Sequence, residues 1–110
     1  MRIRLIKKQT IENYVLKNVQ SKAGFKIWLA QLKRADWHQP SDIISTFKTA
    51  DILGNGSDRV VFNIGGNKYR MICKYVFGNQ CVHFFICWIG THSEYTVLCR
   101  RGDQYNINAY

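Results

Sequence analysis

Between Arg59 and Ile89 the chain carries three strand-like runs separated by two short turn signals, and this stretch restricts the fold more than any other. Arg59 to Ile64 leads through Gly65, Gly66 and Asn67 into Lys68 to Phe77, and Gly78 with Asn79 leads into Gln80 to Ile89. Turns this short join neighbouring antiparallel strands, so the spacing predicts a three-stranded meander. In the middle run Tyr69, Met71, Cys73, Tyr75 and Phe77 alternate with positions that include Lys68, Arg70 and Lys74. Successive side chains on a strand point to opposite faces, so one face packs a core while the other presents three cations. Lys68 and Arg70 then stand roughly 6.8 Å apart, from a rise of about 3.4 Å per residue, a spacing that suits a polyanion. In the last run Val82, Phe84, Ile86 and Trp88 alternate with His83, Phe85, Cys87 and Ile89. A strand apolar on both faces belongs in the middle of a sheet, covered by helices.

Helices come before this meander. Met1 to Ile6 alternates Arg2 and Arg4 with Ile3 and Leu5, the pattern of a short half-exposed strand. From Thr10, a candidate N-cap, Ile11, Tyr14, Val15 and Val19 recur at helical spacing. A second helix follows Ser21, with Phe25, Trp28, Leu29 and Leu32 as its apolar stripe and an end expected near Trp37. Pro40 suits the first turn of a third, short helix whose buried side is Ile43, Ile44 and Phe47. Asp51 to Asp58, rich in Gly, Asn and Ser, reads as a loop. The expected fold class is α+β, with N-terminal helices packed on a small antiparallel sheet. A chain of 110 residues supports one core, so residues 1–99 form a single domain and the polar residues 100–110 a mobile tail.

Sixteen Lys and Arg against 7 Asp and Glu give a net charge of +9 and a pI near 9.7. Such a balance favours RNA, DNA, an anionic membrane or an acidic protein as partner. The longest apolar run, Val82 to Gly90, is broken by His83 and falls far short of the roughly 20 residues a membrane helix needs. Cys73, Cys81, Cys87 and Cys99 have no pair at zinc or redox spacing, and three lie inside apolar strand runs. Buried free thiols in a reducing, cytoplasmic compartment are the expectation, with neither metal nor cofactor.

Several segments together resemble a known family: ADW followed by PSDII, then TFKTAD, RVVFNIGGNKYRMICK and IGTHSEY. Their order and spacing, from about Ala35 to Leu98, are similar to those of HigB-type toxins of bacterial type II toxin–antitoxin pairs, within the RelE-like group. The resemblance implies a compact sheet with helices packed on it and metal-independent, ribosome-dependent cleavage of messenger RNA. It also implies neutralisation by a helix-turn-helix antitoxin of the HigA kind, and through that complex an indirect link to operator DNA. By position it points to Arg70 and Lys68 on the strand, Asn67 in the turn, and His92 and Tyr95 after the last strand. Where the family pattern often follows the tyrosine with an acidic residue, this chain has Thr96.

The residue chemistry is compatible with that implication. Cutting RNA without a metal requires a group that deprotonates a ribose 2′-hydroxyl, cations at the crowded phosphate and a donor for the leaving oxygen. His92, Arg70 and Tyr95 are the catalytic candidates: His92 for proton transfer, Arg70 for the phosphate, Tyr95 for stacking on a base. Lys68, Lys74, Asn67 and Arg59 are candidates for RNA binding. Each has a plainer alternative: His92 as a cap of the last helix, Arg70 and Lys74 as an ordinary solvated strand face. His38 suits a helix end and His83 a hydrogen-bonded core position. Two rival functions stay open on the sequence alone. A non-catalytic RNA- or DNA-binding module needs the basic face but no histidine, and a metabolic enzyme needs a pocket that so short a chain barely provides.

Overall fold

The computed structural model describes residues 1–110. Its elements in chain order are β1 (Arg2–Ile6), α1 (Lys8–Lys17), a 3₁₀ turn (Val19–Ser21), α2 (Lys22–Arg34) and α3 (Ser41–Thr46). Then come β2 (Asp51–Leu53), β3 (Arg59–Ile64), β4 (Tyr69–Phe77), β5 (Cys81–Thr91), α4 (His92–Arg100) and a last 3₁₀ turn (Asp103–Tyr105). The strands form one sheet in the order β1-β5-β4-β3-β2. The meander expected from the turn signals is its centre, with β3, β4 and β5 antiparallel in sequence. One edge corrects the expectation of a purely antiparallel sheet, and the other the expectation of a loop at Asp51 to Leu53. β1 lies parallel to β5, Ile3 opposite Val82 and Leu5 opposite Phe84. Asp51 to Leu53, expected to be loop, pairs antiparallel with β3, a strand too short to reveal alternation in sequence.

Helix ends also shift. Thr10 sits inside α1, whose N-cap is the extended Lys7, because β1 runs into the helix with no separate capping turn. α2 stops at Arg34, as Ala35 turns to extended backbone. That break lets Trp37 swing into the core, where its indole Nε1 donates to Thr46 Oγ1 at 2.8 Å.

Helices α1 to α3 cover the first face of the sheet. The core there is aromatic: Phe47 meets Phe62 edge-on at 4.9 Å between centroids and stacks on Trp28 at 5.5 Å. Tyr69, Met71 and Cys73 of β4 point into it, as the alternation required. The second face is closed over its middle as well, as the apolar alternation of β5 implies, although the cations of β4 were expected to leave it open. Leu98 of α4, with Tyr105 and Ile107 beyond it, packs on Leu53, Val61, Ile72 and Cys87. The segment 100–110, read as a mobile end, therefore docks on the sheet, and the Ala109 amide donates to the Cys87 carbonyl at 2.8 Å. A β-bulge lies at that contact: pairing passes from Ile72–Trp88 to Cys73–Ile86 and leaves Cys87 without a partner on β4. All four cysteines are free thiols.

Gly24 in the first turns of α2 seats the β3–β4 turn. A Cβ there would meet the Gly65 amide nitrogen at 2.6 Å and its Cα at 2.8 Å, while Gly65 and Gly66 both hold positive φ. Helix propensity alone would favour alanine at Gly24 by about 1 kcal/mol. The clash is with backbone, which cannot rotate away, and overpacking of this kind costs about 1–3 kcal/mol. Gly24→Ala should therefore lower the urea midpoint at unchanged slope, and an equal or higher midpoint would mean that the helix and the turn are not in tight contact.

Candidate active site

The site forms where β5 becomes α4. Thr91 is the N-cap: its hydroxyl accepts from the Glu94 amide at 3.2 Å, and the Glu94 carboxylate accepts from the Thr91 amide at 2.8 Å. This reciprocal box fixes the direction in which the helix leaves the sheet. The His92 amide donates to the Lys68 carbonyl at 2.9 Å, so the first helical residue is still tied to the start of β4. Gly90 stands opposite Arg70 in the ladder. A Cβ on Gly90 would collide with the Trp88 ring at 2.4 Å, so glycine allows that ring to lie back over the strand, where it meets Tyr95 at 6.1 Å.

Arg70 is the hub. It is only 7% exposed and has no carboxylate partner. One terminal nitrogen, Nη1, donates to the Asn67 and Tyr69 carbonyls at 3.2 and 3.1 Å. The other, Nη2, donates to the Asn67 side-chain oxygen and lies 2.8 Å from His92 Nδ1. The four terminal N–H groups are thus all engaged, leaving Nε–H as the uncommitted donor. The guanidinium expected to meet phosphate is turned inward. Because a guanidinium carries no acceptor, its contact with Nδ1 requires a lone pair there, which places the imidazole proton of the neutral ring on Nε2.

Arg70, His92, Tyr95, Thr96, Cys99 and Arg100 line an open depression of about 440 Å³. Burial first, and then the hydrogen bond with Cys99, push the Tyr95 phenol far above its usual range, with Arg70 opposing the shift by less. A phenol that holds its proton this firmly is unsuited to act as a base but can donate. Thr96, in place of an acidic residue, donates its hydroxyl to the His92 carbonyl at 3.1 Å.

Of the residues singled out from the sequence, Asn67, Lys68, Arg70, His92 and Tyr95 come together here, with the Asn67 and Lys68 side chains exposed. Arg59 and Lys74 do not. They are direct cross-strand neighbours, four positions along β4 from Arg70 and so about 14 Å away. Arg59 is 7% exposed, and its Nη1 donates to the Gln104 and Ile107 carbonyls at 3.2 and 2.6 Å. It holds the C-terminal segment. Lys74 is exposed. Arg100 and Cys99 went unnoticed in the sequence, although their spacing of eight and seven from His92, with Thr96 at four, puts them on one helical face.

A family model described as HigB_toxin, the RelE-like toxic component of a toxin–antitoxin system, matches residues 21–98. The match runs from the start of α2 to Leu98 of α4 and contains every residue of the cluster except Cys99 and Arg100. No curated protein matches the chain.

Two measurements check this geometry. Long-range proton–nitrogen NMR of the RNA-free protein should find neutral His92 with its proton on Nε2, and a proton on Nδ1 would show that Arg70 does not reach the ring. The raised phenols set a pH window. Tyr14 is pushed up to about 12, chiefly by burial, and Tyr95 is raised further. Both ionise later in the folded than in the unfolded chain, as do the buried thiols of Cys73 and Cys87, so stability should begin to fall above about pH 8.5, where unfolded thiols ionise, and fall more steeply above about pH 10, where the phenols follow. A stability curve that stays flat through that range would mean that neither phenol is shielded.

Proposed function

We propose that this chain, which belongs to the HigB family of RelE-like toxins of toxin–antitoxin systems, is a metal-independent endoribonuclease that cuts messenger RNA on the ribosome and so arrests translation. Membership in that family carries with it an antitoxin partner. We infer a helix-turn-helix antitoxin of the HigA kind, operator DNA reached through the complex, and a cytoplasmic setting. No helix of the structure is long and apolar enough to cross a membrane.

The observation that carries the reading is the Arg70–His92 contact at 2.8 Å beside an open, cationic depression. A neutral imidazole nitrogen offers a guanidinium a lone pair but no charge, whereas a phosphate meets it with an opposite charge and can accept two parallel N–H bonds. An incoming phosphodiester would therefore draw an Arg70 N–H away from His92. The Nδ1 lone pair, released by that exchange, can take the proton of the neighbouring ribose 2′-hydroxyl. The 2′-oxygen then attacks phosphorus, the bond to the 5′-oxygen breaks as that oxygen takes the proton back from the His92 imidazolium, and a 2′,3′-cyclic phosphate and a 5′-hydroxyl remain. Lys68 and Arg100, both exposed, supply charge at the growing negative oxygens, and the firmly protonated Tyr95 offers a donor or a stacking surface. In this scheme the histidine is held out of use until substrate phosphate arrives.

Arg70→Ala should abolish growth arrest while the fold is kept, as read from circular dichroism. If the folded variant arrests growth like the wild type, Arg70 takes no part. His92→Gln should retain RNA binding and slow single-turnover cleavage of ribosome-bound message by about 10²-fold or more, the usual contribution of general acid–base catalysis. An unchanged rate would return His92 to the role of a residue in the first turn of α4. Intact message in the presence of a growth-arresting wild type would favour a toxin that binds RNA without cutting it.

A further inference from the structure

The second face of the sheet is not covered along its whole length. The C-terminal segment crosses it from Arg59 on β3 to Cys87 on β5. Below that crossing lies a separate groove of about 420 Å³, lined by Ile6, Lys7, Lys74, Val76, Phe85 and the end of the segment among others. Strand register builds it in two rows. Ile6, Phe85 and Lys74 stand opposite one another across β1, β5 and β4, and Arg4, His83 and Val76 form the next row. Residues directly opposite on neighbouring strands share a face. Phe85 is 38% exposed and Val76 44%, so an aromatic ring on a central strand faces solvent with cations on both flanks. No Asp or Glu side chain lines the groove. Of the arginines and lysines around it, Arg59 is bound to the segment, whereas Arg4, Lys7 and Lys74 are exposed.

Aromatic side chains on an open sheet face, bordered by Lys and Arg, are how single-stranded nucleic acid is held without reading its sequence, because every base has a face to stack. We propose that this lower half of the face is a second RNA subsite, in which a base of the same message cut at His92 stacks on Phe85 and its phosphates meet Lys74, Lys7 and Arg4. The inference rests on the RNA-cutting reading above and extends it to the path of the substrate. Lys74 is about 14 Å from Arg70 along β4, so a strand a few nucleotides long can span both sites by passing over the C-terminal segment.

Binding is read by fluorescence anisotropy with all-deoxy single strands, which lack the 2′-hydroxyl and are not cut, of about four and about twelve nucleotides. Phe85→Ala should weaken the long strand by about tenfold and leave the short one unchanged, while Phe85→Trp restores the long-strand affinity. Lys74→Gln, a change at an exposed position, should lower the salt slope of long-strand binding by about one unit. Unchanged long-strand affinity in Phe85→Ala overturns the proposal, and so does an equal loss on both lengths. If Phe85→Leu binds as well as wild type, stacking is absent and the groove is an apolar seat for a protein segment instead. A wild type that binds the strands but leaves ribosome-bound message intact would overturn the cleavage reading and not this one.

Discussion

β5 is paired on both edges over Cys81–Phe85 and buried on both faces at Ile86 and Cys87, and most of the architecture follows from that. β1 and β4 take its hydrogen-bonding edges. Val82, Phe84 and Ile86 on one side and Cys87 on the other are all buried. A central strand apolar on both faces needs a layer above and a layer below. The helices before β2 make the first layer, where the aromatic cluster of Trp28, Trp37, Phe47, Phe62 and Phe84 fills the space under α2 and α3. The second layer must come from the chain after β5. α4 turns back over the sheet at Thr91 so that Leu98 can cover Ile72, and the last residues complete the cover. His92 stands at that reversal, so the geometry of the site is set by the same turn that closes the core.

Burial of two arginines shapes the electrostatics. A charge taken out of water is expensive unless its hydrogen bonds are met, and a buried guanidinium is commonly paired with a carboxylate. Here neither is. Arg59 is met by two backbone carbonyls, and Arg70 by two carbonyls, an amide oxygen and an imidazole nitrogen. Both salt bridges in the structure involve Asp36, far along the chain from either arginine. Neutral acceptors satisfy the donors without cancelling the charge. The depression at His92 therefore keeps a positive field that an anion can use, in a protein with few carboxylates to compete for it.

Much of this was legible from periodicity and turn chemistry. The meander, the buried side of β4 and the stripe of α2 follow from side-chain alternation and from the positions of Gly65, Gly66 and Gly78. The cluster of Asn67, Lys68, Arg70, His92 and Tyr95 came from motif order, since no local pattern joins residue 70 to residue 92. What stayed hidden depends on long-range contact. Arg59 and Lys74 look alike in alternating strands, and only the docking of residues 104–107 separates a strut from a surface cation. The polarity of the segment 100–110 suggested mobility because its anchors, the Arg59 guanidinium and the Cys87 carbonyl, belong to other strands. The parallel partner of β5 was equally hidden, as nothing in Met1 to Ile6 specifies which strand it will join.

The bulge at Cys87 and the anchoring of the C-terminal segment are one arrangement. Cys87, the extra residue on β5, has no partner on β4, and the Ala109 amide donates to its carbonyl. Arg59 holds the same segment at the opposite side of the sheet. Fixed at both ends, the segment divides one continuous basic face into an upper part around Arg70 and a lower part around Lys74. Arg59 and Lys74, though directly paired, then do different things. Loss of the first frees a strap whose packing closes the second core, and loss of the second removes a charge from an open surface. The division also explains how a single sheet face can be closed enough to be stable and open enough to meet a polyanion. The apolar residues of the middle, Ile72 and Cys87, lie under the strap, and the cations and the exposed ring of Phe85 lie to either side of it.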